Sequence, residues 1–154
     1  MPDPPSQSEM STPICYLNTD LVLLAPRDPT QLVAAFGKDG VQALYAPQQG
    51  DDGFWHVSFE LHTESDSDDP DYNPERMISA ILDAIESLDD SCQALWAECS
   101  LKEFNIGYDC GTEPWAFNQG LTNQTLLRMA QAGASLRITL YPHRSEPVSR
   151  STIN

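Results

Sequence analysis

Positive charge is scarce in this chain: 8 Lys and Arg stand against 23 Asp and Glu in 154 residues, a formal net charge of −15. A surface with that balance repels phosphate, which argues against nucleic acid and anionic membrane as partners. It favours solubility and rapid capture of a basic partner, and solubility alone is the plain alternative reason for it. Paired cysteines are missing too. Cys15, Cys92, Cys99 and Cys110 form no C-x-x-C pair and match no zinc-ribbon or iron–sulfur spacing. No apolar run approaches the roughly 18–20 residues that cross a bilayer. The opening MPDPPSQSEM has neither a basic region nor an apolar one, so no secretory signal is read there. Free thiols in a reducing cytoplasm are the expectation. Also absent are a Gly-rich phosphate loop, a G-x-S-x-G elbow and an H-E-x-x-H pair, so no catalytic residue and no cofactor is assigned.

What is present reads as one domain, since domains cluster near roughly 100–150 residues. Residues 1–13, rich in Pro, Ser and acid, read as a disordered lead-in, residues 14–142 as the folded domain, and 143–154 as a flexible tail. The apolar run ending in Leu21–Leu24 predicts a strand. Asp28 as N-cap with Pro29 at the first helical position then predicts a short helix buried through Leu32, Val33 and Phe36. A second strand follows over Val41–Tyr45, and PQQGDDG is dense enough in turn residues for a hairpin-type connection. Trp55, Val57, Phe59 and Leu61 alternate with His56, Ser58, Glu60 and His62, the pattern of a strand with one core face and one wet face. Asn73-Pro74 opens a helix carrying Met77, Ile78, Ile81, Leu82, Ile85 and Leu88. Ser91 starts a shorter one on which Leu95, Trp96 and Cys99 share a face. Phe104, Ile106 and Tyr108 mark a further strand. Thr122 caps a helix expected to bury Leu126, Leu127 and Ala130 and to end at Gly133, and Leu136, Ile138 and Leu140 form the last strand before Pro142. The expectation is an α+β two-layer sandwich: a mixed or mainly antiparallel sheet of about five strands, with helices on one face.

Three constellations invite chemistry. The acidic run Glu64 to Asp71, with Asp66, Asp68, Asp69 and Asp71, suggests calcium, but the sixth and twelfth positions counted from Asp66 hold Asp71 and Met77 where an EF-hand needs Gly and Glu. A solvated charged loop is the better reading. His56, Glu60 and His62 share the wet face of one strand, yet the sequence nominates no further ligands to complete a metal site, so none is assigned. Cys110 lies between Asp109 and nearby Glu113, whose charge opposes thiolate formation, and nothing places His143 beside it; a buried, inert cysteine is expected. In the segment YDCGTEPWAFNQGL, Trp115 and Phe117 either plug the core, the favoured reading, or form a contact patch rimmed by Asp109 and Glu113.

The segments SLKEFNIGYDCG and LTNQTLLRMAQAGASLRITLYP, together with the Trp55 strand, resemble small uncharacterised bacterial α+β domains, some of them presumed immunity proteins of toxin systems. The resemblance carries no catalytic residues with it. What it implies is a cytoplasmic protein that neutralises a toxin by covering its cleft, in keeping with an acidic surface that captures a basic partner. The expected contact surface is Glu60, Glu64, Asp66, Asp68, Asp69, Asp71, Asp109, Glu113 and Trp115. Two alternatives stand beside it. One is a small-molecule-binding or enzymatic domain with a pocket at the Asp109–Phe117 loop, using Asp109, Cys110 and Glu113; the other is a structural domain whose acidity only confers solubility.

Overall fold

The computed structural model describes residues 12–64 and 68–144. Ten elements follow one another: β1 (Cys15–Ala25), α1 (Thr30–Lys38), β2 (Val41–Ala43), β3 (Gln48–Gln49), β4 (Trp55–Leu61), α2 (Pro74–Glu86), α3 (Asp90–Glu98), β5 (Leu101–Asp109), α4 (Asn123–Gln131) and β6 (Ser135–Tyr141). The strands form one sheet in the order β2-β4-β1-β5-β6, with β3 also on β4. Pairing is antiparallel except between β5 and β6, where α4 makes the crossover that a parallel pair requires. The result is the mixed-sheet α+β sandwich that the alternating strands predict. No helix among the described residues is long and apolar enough to cross a membrane.

The core lies between the helices and one face of the sheet. Leu21, Leu23, Val57, Phe59 and Phe104 rise from the three central strands to meet Leu32 and Phe36 of α1, Ile78, Ile81 and Leu82 of α2, and Leu95 of α3, all fully buried. Phe36 stands edge-on to Phe59, 5.0 Å between ring centroids, and to Trp96 at 6.1 Å, the geometry in which aromatic quadrupoles attract. The other face stays open and carries His56, Ser58 and Glu60 of β4, Asn18 and Asp20 of β1, and Asn105 of β5.

Caps fix most boundaries. Asn73 accepts from the backbone N–H of Arg76 (3.0 Å) with Pro74 behind it, and Thr122 Oγ1 accepts from Thr125 N–H (3.2 Å). Two starts differ from the sequence reading by one residue. The first helix begins at Thr30 with Pro29 as its cap residue; Asp28 accepts both the N–H and the hydroxyl of Thr30, and the bend this makes keeps Pro29 out of the helix. The third begins at Asp90 because Asp89, and not Ser91, captures Cys92 N–H at 2.8 Å. The second strand stops at Ala43, although Leu44 N–H still reaches Ser58 O.

The largest departure concerns α4. Leu126, Leu127 and Ala130, expected in the core, are exposed, while Thr125 and Met129 are buried. Polar bonds set this rotation. Glu75 of α2 accepts from Thr122 N–H (2.7 Å) and from the Thr125 hydroxyl. Arg128 donates to Asp83 and Glu86, also on α2, and the Trp96 indole donates to Ala132 O at 2.9 Å. These contacts draw α4 sideways against α2 and α3 instead of face-down onto β6. The outer strand therefore keeps Leu136, Ile138 and Leu140 exposed. Gly133, at φ +75°, makes the left-handed turn into β6.

Candidate interaction surface

The first half of β1 is where the functional candidates meet. On one side, β4 puts Glu60 directly opposite Asp20, and Tyr72, next to Asp71 in the chain, donates its hydroxyl to Leu17 O at 2.5 Å. On the other side, β5 ends with Asp109 opposite Cys15. Beyond it, Glu113 O accepts from Ile14 N–H at 2.8 Å, and Glu113 bridges Pro13. The segments 68–71 and 109–113, some forty residues apart in sequence, thus flank the same stretch of one strand. Glu60, Asp109 and Glu113 border this end of β1, and the segment carrying Asp68, Asp69 and Asp71, the last paired with Arg76 at 3.6 Å, leads into it through Tyr72; Glu64 follows β4, and Asp66 lies outside the described residues.

A row of aromatic rings runs beneath that rim. Tyr72 lies 5.0 Å from Tyr16, Tyr16 lies 6.0 Å from Tyr108, and Tyr108 lies 5.8 Å from Phe117. Tyr16 and Tyr108 are buried, and burial is the main reason both hydroxyls are pushed above the usual tyrosine range. The Tyr16 hydroxyl is tied to Thr19 at 2.6 Å. These contacts connect the acidic segment to the aromatic loop through the edge of the core. Of these tyrosines the sequence reading named only Tyr108, as part of its strand. A β-bulge between Tyr16 and Asn18 breaks the period-two pattern by which the burial of Tyr16 could have been read.

The loop after β5 is pinned at its base. Thr112 N–H reaches Thr12 O (2.6 Å), Thr12 N–H reaches Thr112 Oγ1 (2.8 Å), and Cys110 N–H reaches Tyr141 O (2.8 Å). From this base Trp115 projects fully exposed, and Phe117 is 40% exposed. The core-plug reading of the two aromatics is therefore wrong. The interior beneath the loop is already filled by Tyr16 and Tyr108, so Trp115 stands in solvent and Phe117 lies at the surface against Tyr108. Residues Thr12 and Pro13, assigned from the sequence to a disordered lead-in, belong to this anchored base; residues 1–11 and 145–154 lie outside the described residues.

No family model, curated protein or solved structure matches this chain. Its chemistry is carried by the geometry alone.

That geometry distributes the titratable candidates over different hollows. Cys110, half-buried and not the fully buried thiol expected, lines an open groove of about 420 Å³ with Ile14, Phe117, Ile138 and Leu140. Asp109 and His143 border a different hollow with Tyr141 and Arg144. His56 is paired with Asp52 at 3.3 Å, away from the acidic end. Among the described residues, no three His, Cys, Asp or Glu side chains are grouped to hold a metal ion, and no buried side-chain polar atom lacks a hydrogen-bond partner. One carboxyl does stand out electrostatically. Burial first, and the facing Glu60 second, push Asp20 up to about 6.

Proposed function

We propose that this chain is a non-enzymatic protein-binding module, most concretely an immunity-type protein that occludes a basic toxin. The observation that carries the proposal is the gathering of two distant acidic segments around the start of β1, with a fully exposed Trp115 beside them. Exposed tryptophan is costly in water and enriched at binding hot spots, and a charged rim around an aromatic anchor is the usual anatomy of a protein interface. The acidic residues would steer a basic partner into place, and Trp115 would lock it by entering a pocket. The anchored base of the loop supports the same reading, because backbone fixed in advance loses less freedom on binding.

Affinity capture with the tagged full chain from low-salt native lysate tests it. The expected result is one stoichiometric basic protein. Reversing Asp68, Asp69, Asp71, Asp109 and Glu113 to Lys should abolish capture by slowing association, whereas Trp115→Ala should speed dissociation with little change in association rate. Capture that persists unchanged in both variants would refute this site.

A further inference from the structure

The second surface with unsatisfied chemistry is the β6 edge. β6 ends the sheet, so alternate residues turn their backbone N–H and C=O groups away from β5 with no strand among the described residues to receive them. Its apolar side chains Leu136, Ile138 and Leu140, with Leu126 and Phe117 flanking them, are 40–61% exposed. They line two adjoining grooves, one holding Leu126, Leu136 and Ile138, the other Phe117, Ile138 and Leu140. Soluble proteins protect such an edge with charge, proline or a bulge. Here the one charge on β6, Arg137, points to the other face and is held by Glu103 at 2.7 Å.

We infer that this edge is covered by a second copy of the chain, pairing β6 with β6 in antiparallel fashion about a two-fold axis at Ile138. The register is self-complementary. With Ile138 opposite itself, Leu136 of one copy faces Leu140 of the other, and Arg137 faces Thr139, so no like charges meet. The groove flanked by Leu126 on one copy meets the groove flanked by Phe117 on its mate. The charge distribution favours the same occupant. All 23 acidic residues except Glu146 precede Pro114, so the segment 114–144 has none and carries Arg128, Arg137 and Arg144. Of the carboxylates beside β6, Glu103 is tied to Arg137 and Asp109 stands at the far end opposite Tyr141, so two chains of net charge −15 can meet here without apposing their 64–71 runs. Five partly exposed apolar side chains per copy make a patch smaller than the ~800 Å² of a standard interface, which suits a dissociable dimer.

Sedimentation equilibrium on the full chain, at concentrations up to about 100 µM, decides the matter. A monomer–dimer equilibrium is expected, tightening as NaCl is raised because screening relieves repulsion between two acidic bodies. Ile138→Lys or Leu140→Lys should weaken dimerisation by about 100-fold or more, since the first sets two Lys against each other at the axis and the second sets a charge against Leu136 of the mate. Both positions are already exposed, so the fold should survive, as circular dichroism would show. Leu44→Lys, equally exposed at the opposite edge of the sheet, should leave the dimer intact. A monomer at every salt concentration, or a dimer unmoved by both Lys variants, overturns the inference, as does a β6 edge found covered only by a protein of different sequence. The opposite salt response separates this contact from the acidic surface, whose captures weaken with salt.

Discussion

Asp20 and Glu60 oppose one another across β1 and β4, where neighbouring side chains come closest and like charges repel. The folded chain holds the Asp20 proton to about pH 6, above the ordinary 3.8. A raised carboxyl binds its proton more tightly folded than unfolded. Its contribution is therefore fully present below about 3.8 and is lost as pH rises through about 6. At neutral pH the ionised group costs on the order of 2 kcal/mol, allowing for its partial access to water. Asp20→Asn should raise the urea midpoint at pH 7.5, and the gain should vanish near pH 4; a gain independent of pH would exclude the electrostatic cause. Gly111 makes a different kind of demand. A Cβ there would collide with the Thr12 carbonyl oxygen. Gly111→Ala should free the loop base at a cost of about 1–3 kcal/mol, read as faster hydrogen exchange at Thr112 and Glu113 with β4 unaffected. Neither residue stood out in the sequence. Asp20 looks like one more polar interruption until β4 supplies Glu60, and Gly111 looks like an ordinary turn glycine until residues 12–13 are brought against it.

Elements whose partners are local in sequence, or whose faces are strictly periodic, were legible: β4 from its alternation, α2 from Asn73-Pro74 and its apolar stripe, the 47–53 hairpin from its turn residues. The orientation of α4 was not, because an apolar stripe says which face would prefer burial and not which neighbour wins. The deciding contacts come from Glu75, Asp83 and Glu86 on α2, far away in sequence. Glu75 is central among them. Burial works to raise its pKa, but hydrogen bonds from Thr125, Thr122 and Ser79 outweigh that and lower it. Its contribution is thus present above the ordinary value of 4.5 and fades as pH falls through the depressed one. Glu75→Ala should cost about 1.5–3 kcal/mol near pH 7, as expected for hydrogen bonds to a charged acceptor. In paired urea titrations the two proteins should converge at strongly acidic pH. Equal midpoints at pH 7 would mean that α4 is held by Arg128 and Trp96 without the clamp.

At the scale of the whole molecule, charge and apolar surface are segregated. The acidic rim and Trp115 border the start of β1, while the apolar edge runs along β6 and meets the rim at its end, where Asp109 stands opposite Tyr141. The sequence reading already grouped the charge run with Asp109, Glu113 and Trp115, but only the pairing of β1 with both neighbours gives a physical reason for them to adjoin. The apolar edge was invisible, since Leu136, Ile138 and Leu140 have the alternation of a buried face. Segregation of this kind gives the two surfaces opposite dependences on ionic strength. Between about 0.05 and 0.5 M NaCl the reach of exposed charge contracts from roughly 14 to 4 Å. Association with a basic partner should then slow by an order of magnitude or more, because steering is lost, while self-association through β6 should tighten, because only repulsion is removed. Both can be followed on one preparation, by capture kinetics and by sedimentation. If self-association instead weakened with salt, the contact between copies would have to run through ion pairs such as Arg128 with Asp83 and Glu86, and Leu136, Ile138 and Leu140 would not be what holds it.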